Sequence, residues 1–279
     1  LDVVPVGEGW KHPPFSAYEE DGVIYSRGIL DNKGPILSCL YALTALKRLG
    51  IKPEREVRII FGCDEESGFE DLKYYLDHEK APIAGFTPDC KYPVVYAERG
   101  RAVIKVKADL DHLIAFMNKY ILNSQNKGER LGIDYKNEEF GQLEIRNYHL
   151  TKEDFSFSIS YPAGLTLDEI LTQLNNIEGY EYEVVSHFKP VYFDKKAPMV
   201  EIMKETYEYV TGNDGTPVTT TGGTYAKMMP HIVPFGPSFP GQKGIGHNPN
   251  ELMTREDLIT NAKIYALTLY QLSRKETEL

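Results

Sequence analysis

The first hundred residues alternate between two kinds of apolar pattern. Residues 35–50, PILSCLYALTALKRLG, set Ile36, Leu37, Leu40, Leu43 and Leu46 or Leu49 at helical spacing. Pro35 suits a first helical turn, Lys47 and Arg48 suit a last one, and Gly50 can close it. Residues 56–62, EVRIIFG, then read as a buried strand, 68–79 as a helix, and 93–97, PVVYA, as another strand. Strands alternating with helices predict an α/β domain with a mainly parallel sheet flanked by helices.

The middle of the chain changes period. Residues 102–108 and 154–161 alternate every second residue, which predicts antiparallel strands with one wet face. Residues 111–123 and 165–177 read as helices, the second capped by Thr166, and 181–187 as a third strand. Helical spacing returns over 197–211 and 255–274, the latter capped by Thr254. The expected division is a catalytic domain over 1–100 and 188–279 and a smaller α+β, ferredoxin-like domain over 101–187. A long loop rich in Thr, Gly and Pro, from Thr211 to Asn250, has the length of a functional loop. Strand 102–108 runs into the next helix with almost no turn chemistry, and 128–141 does not resolve into one element. Segments are expected to be absent at both joins, and residues are expected to precede Leu1, since the chain opens on LDVVP without Met.

Composition narrows the function. The net charge of -10 disfavours nucleic acid, whose phosphates need basic patches. No apolar run is long enough to span a bilayer. Three cysteines, Cys39, Cys63 and Cys90, make no disulfide framework, so a reducing, cytoplasmic setting is expected.

The chemistry concentrates in acids. Asp64, Glu65 and Glu66 stand side by side in GCDEESG, directly after the strand expected at 56–62. Alone, they would be a solvated turn. Asp2, Asp31 and Asp89 also fall at expected strand or helix junctions, and ligands of open α/β sheets bind at the carboxyl ends of the strands. Clustered carboxylates at one edge call for a cation. Among seven histidines, His247 in GIGHNPNE is the best ligand candidate, and a histidine tilts an oxygen site toward zinc. Cys63 and Cys90 adjoin these positions but read as packing residues.

The ordered motifs LDVVPVGEGW, PPF, YSRGILDNKGP, GCDEESG, TPDC, GGTYA, FPG and GHNPNE resemble the metallopeptidase M20 family, in its branch of PepV-type dipeptidases. That resemblance implies two divalent metals, zinc by default with manganese or cobalt as alternatives. It implies that Asp31 bridges them, that Glu66 and His247 bind one and Asp89 the other. It makes Glu65 the general base toward the attacking water, Asp2 an orienting carboxylate, and Gly222, Gly223 and Thr224 substrate contacts. A small peptide is the implied partner, with a homodimer left open, and the smaller domain becomes a lid. Hydrolysis of dipeptides is the expected reaction. An aminoacylase, a deacetylase, a carboxypeptidase, or a catalytically dead metal-binding relative is the alternative. Three departures bear on this. The family's histidine two residues before Asp2 would precede Leu1, no lid histidine is found near Leu110, and Ser160 stands where the family has a substrate-binding arginine.

Overall fold

A computed structural model of the chain describes residues 1–277 and 279. Residue 278, inside the stretch expected over 188–279, lies outside the described residues. The fold is mixed α/β, with helices α1 (Gly34–Arg48), α2 (Glu70–His78), α3 (Leu110–Phe116), α4 (Leu167–Asn175), α5 (Pro198–Thr211) and α6 (Arg255–Leu272) joined by short strands. Two compact units divide the chain. Unit 1 holds Leu1–Tyr96, Phe193–Val218 and Thr224–Leu279, and unit 2 holds Ala97–Tyr192 and Thr219–Gly223.

Unit 1 is built on a core of Val94, Val200, Met203, Tyr207, Val233, Phe235, Ile264 and Tyr265. Helix α1 buries Ser38, Cys39 and Ala42, whereas Leu37 and Leu40 are exposed. The small residues allow close approach to α6: Ser38 Oγ donates to Leu258 O at 3.2 Å. A Cβ on Gly34 would sit 3.1 Å from the Leu258 side chain. Helix α6 starts as expected, with Thr254 accepting the Asp257 N–H at 2.9 Å.

The sheet differs from expectation. Two parallel pairs form, Ile232–Pro234 with Gly85–Thr87 and Pro237–Ser238 with Cys90–Lys91. A third ladder is antiparallel, with Val23–Tyr25 between Tyr18–Glu20 and Leu252–Thr254. No strand forms over 56–62 or at the chain's opening residues. Ile59 packs on the core while Phe61 is 56% exposed. An apolar run becomes a strand only when a neighbour supplies ladder bonds, and no such neighbour lies beside 56–62 among the described residues. A further sheet places Val95–Glu98 between Val191–Tyr192 and Val218–Thr220, so among the described residues separate short ladders stand where one continuous, mainly parallel sheet was expected.

Unit 2 carries a four-stranded antiparallel sheet in the order Glu181–Phe188, Gly100–Lys107, Asp154–Tyr161, Glu144–Leu150. Ile104, Phe155 and Phe157 share a core with Leu113 and Phe116 of α3 and Ile170 and Leu174 of α4. Thr166 and Glu169 close a reciprocal capping box on α4. The join before α3 has turn chemistry after all: Asp109 caps the helix, its carboxylate accepting the His112 N–H at 3.1 Å. No helix among the described residues is long and apolar enough to cross a membrane.

Candidate active site

Unit 1 gathers the acids from their separate motifs. Asp31 sits in the irregular turn Ile29–Lys33 that leads into α1. His247 lies in the Gly-rich loop before the last strand, at a left-handed φ of 63°. Its Nε2 is 2.8 Å from Asp31 Oδ2 and 3.3 Å from Glu66 Oε1. One ligand atom from each of the three lies within 4.8 Å of the others. Nitrogen with two carboxylate oxygens is a donor set that suits zinc and its neighbours in the transition series.

The remaining acids adjoin this trio. Asp2 Oδ2 accepts the Glu66 N–H at 2.9 Å, so it orients the backbone of a candidate ligand. Glu65 is driven up to about 8 by burial, then by the charges of Glu66 and Asp31. Asp89 follows the strand Gly85–Thr87 and is raised well above its ordinary value, first by burial and then by Asp31 and Glu65. His247 goes up to about 10 because Asp31 and then Glu66 accept from its ring. These are the signatures of carboxylates packed too closely to ionise together. A divalent cation among them would offset the repulsion, so the residues fit a metal. Asn32 Nδ2 donates to Pro88 O at 2.8 Å and thereby ties the Asp31 turn to the Asp89 loop. A cavity of about 240 Å³ opens beside Asp31, Asp89 and His247, walled also by Ser238 and Gln242.

The acidic turn is held from beneath. Asp71 Oδ2, in the first turn of α2, accepts the Cys63 N–H at 2.6 Å, the Asp64 N–H at 3.1 Å and the Tyr225 hydroxyl at 2.6 Å. Burial alone would raise the Asp71 pKa, but these donors outweigh it and the group is lowered. Gly62 is needed here because a Cβ would fall 2.0 Å from the Tyr225 oxygen. The Asp64 side chain is engaged at the start of α2, where its Oδ2 accepts the Glu70 N–H at 2.9 Å. Sequence reasoning missed Asp71 and the structural part of Tyr225. Only the position of Asp71 in the first turn of a helix after GCDEESG pointed to it.

Of the expected substrate contacts, Gly222 and Gly223 belong to unit 2 and Thr224 to unit 1. The Gly222 N–H donates to Thr220 Oγ1 at 3.3 Å. Thr224 is buried, and its hydroxyl accepts the Ala226 N–H at 3.2 Å.

The profile described as peptidase family M20/M25/M40 matches residues 1–271. The chain belongs to that family. It is therefore a peptidase-family enzyme. A Beta-Ala-Xaa dipeptidase from Lactobacillus delbrueckii subsp. lactis is 26% identical over 381 aligned positions, which take in 99% of this chain and 81% of that protein. Those positions outnumber the 279 residues present, so this relative carries additional segments within the matched span. Human carnosine dipeptidase 1 superposes with a TM-score of 0.75 at 17% identity, over 98% of this chain and 78% of that one. The YXEP protein of Bacillus subtilis, described as a dinuclear metal binding peptidase from this family, gives 0.60 at 14% identity, over 98% and 79%. At these identities the two structures speak for the fold.

Proposed function

We propose that this chain hydrolyses dipeptides at a two-metal centre in unit 1. Asp31, Glu66 and His247 would hold one ion, and Asp31 and Asp89 the other, with Asp31 as the bridge. The observation that carries the proposal is the convergence of Asp31, Glu66 and His247 within 4.8 Å from three distant motifs. The names of the Lactobacillus and human relatives support a dipeptide as substrate, and that of the Bacillus protein supports two ions. Zinc suits the nitrogen donor, with manganese or cobalt able to take the same set.

A bound ion of this kind polarises the scissile carbonyl and makes water acidic enough to attack near neutral pH. Glu65 receives the proton of the attacking water and delivers it to the leaving amine. Its neighbour Glu66 is tied by its backbone to Asp2, so the adjacent carboxylates have different tasks. Neutralising Glu66 and Asp31 removes two of the causes that raise Glu65 and brings its pKa down toward the working pH. In unit 2, the Gly222 N–H is held by Thr220 Oγ1, which leaves Gly223 to offer a backbone N–H to a substrate carboxylate. That unit would act as the lid.

The test is an assay of the purified chain with zinc, cobalt or manganese against dipeptides, N-acyl amino acids and longer peptides. Turnover of dipeptides is expected. Cleavage of N-acyl amino acids with dipeptides untouched would replace a dipeptidase by an aminoacylase. Absence of tight metal binding would end the two-metal reading altogether.

A further inference from the structure

Two charged residues in the quoted motifs take no part in this chemistry, and both are buried. Arg27, from YSRGILDNKGP, is 1% exposed, and Glu251, from GHNPNE, is 0% exposed. Arg27 Nη1 donates to Glu251 Oε2 at 2.7 Å. A buried ion pair is weak evidence of a stabilising role, since apolar residues of the same volume often do as well. Its contacts point to another use.

The Glu251 carboxylate accepts three backbone N–H groups besides the guanidinium. Gly28 donates to Oε2 at 3.1 Å, Leu30 to Oε1 at 2.9 Å and Asp31 to Oε1 at 3.0 Å. These amides belong to a turn where Asp31 has φ -128° and ψ 86°, so a regular helical ladder cannot satisfy them. Arg27 reaches the other way. Its Nη1 donates to Asn248 O at 3.2 Å, next to His247, and its Nη2 donates to Pro5 O at 3.3 Å and Val6 O at 3.1 Å. Trp10 covers the guanidinium, 5.2 Å from its ring centre. One ion pair thus clamps the segment after Asp2, the turn that carries Asp31 and the loop that carries His247.

Given the metal placement proposed above, we infer that Glu251 and Arg27 are positioning residues that set the separation of Asp31 and His247. Glu251 acts through the Asp31 amide, and Arg27 through the Asn248 carbonyl. The pair also adds no net charge beside the acidic cluster, which leaves the local charge to the ligands.

The test is Glu251→Gln in the full chain. The amide keeps the volume, but its NH₂ end must face N–H donors, so one pair of contacts is lost whichever way it lies. Zinc affinity, measured by competition with a chromophoric chelator, is expected to fall 10- to 100-fold, as for other residues that orient metal ligands. The visible absorption of the cobalt-loaded protein should change as well, while far-UV circular dichroism stays that of the wild type. Unchanged affinity and an unchanged cobalt spectrum would overturn the inference and leave the metal site standing. If Glu251→Gln does not fold, the double variant Arg27→Met/Glu251→Leu removes both charges together and is measured in its place. Weaker zinc binding in that folded variant supports the inference, and wild-type binding overturns it. Failure of both variants to fold would make the pair purely structural and overturn it too. A wild-type chain that binds neither zinc nor cobalt removes the metal reading itself, and this inference with it.

Discussion

His247 Nε2 lies 2.8 Å from Asp31 Oδ2, although the two come from opposite ends of the chain. Such an approach of a ring nitrogen to a carboxylate is an ion pair or the edge of a metal site, and Glu66 at 3.3 Å favours the second. The two differ in what each substitution does. Asp31→Ala, Glu66→Ala and His247→Ala should each lose zinc affinity. Glu65→Gln should keep the metal and lose about 10²- to 10⁴-fold in dipeptide turnover, the usual contribution of a general base. Equilibrium dialysis beside steady-state kinetics separates them. Equal metal loss in all four would remove the division between Glu65 and Glu66.

How far the sequence foretold this depends on whether the determinants are local. The Thr166 cap, the antiparallel strand Asp154–Tyr161 and the Thr254 cap are written within a few residues, and each formed, although Ser158 and Ser160 on the strand's expected wet face are buried. The strand over 56–62 needed a partner from elsewhere in the chain, which its own pattern could not reveal. In α1 the expected apolar stripe is met by Leu46, which is buried, but Leu37 and Leu40 are exposed and Ser38, Cys39 and Ala42 are buried in their stead. The trio Asp31, Glu66 and His247 was legible through motifs. The clamp of Arg27 on Glu251 was not, because nothing within either motif shows that the two meet.

The acidic turn depends on Gly62 for want of space. A methyl group there would lie 2.0 Å from the Tyr225 oxygen and 2.5 Å from its ring carbon, so the ring must shift. Tyr225 would leave Asp71, and the Cys63 and Asp64 amides would lose part of their support. Gly62→Ala is expected to cost about 1.5–3 kcal/mol, the range for a hydrogen bond to a charged acceptor, and to weaken zinc binding. Tyr225→Phe should show the milder form of the same loss. Urea denaturation measures both, and a Gly62→Ala protein as stable as the wild type would contradict the packing.

Thr166→Ala supplies the opposite pattern. It removes the hydroxyl that accepts the Glu169 N–H at 3.3 Å and leaves every unit 1 residue intact. Loss of such a cap costs about 1 kcal/mol. The expected result is a less stable unit 2 with zinc affinity unchanged. A loss of zinc affinity from this substitution would mean that the site is not confined to unit 1.

The pH dependence of the metal-free chain follows from three raised groups. Glu65 goes from 4.5 up to about 8, through burial and then Glu66 and Asp31. His247 goes from 6.5 up to about 10, through Asp31 and Glu66. Asp89 rises well above 3.8, chiefly through burial. In each case the folded chain holds its proton more tightly than the unfolded chain does. Stability from these groups is therefore complete below the unfolded values and lost as pH rises through the folded ones. The lowered carboxylates, such as Asp71, act in the other direction, and only at acid pH. Melting temperatures in EDTA should accordingly fall between about pH 5 and about pH 9. Glu65→Gln should make the fall shallower by removing one titration. Zinc competes with the same protons, so its stabilising effect should grow over that interval. A melting temperature that holds level or rises with pH in EDTA would show that these carboxylates do not crowd one another as described.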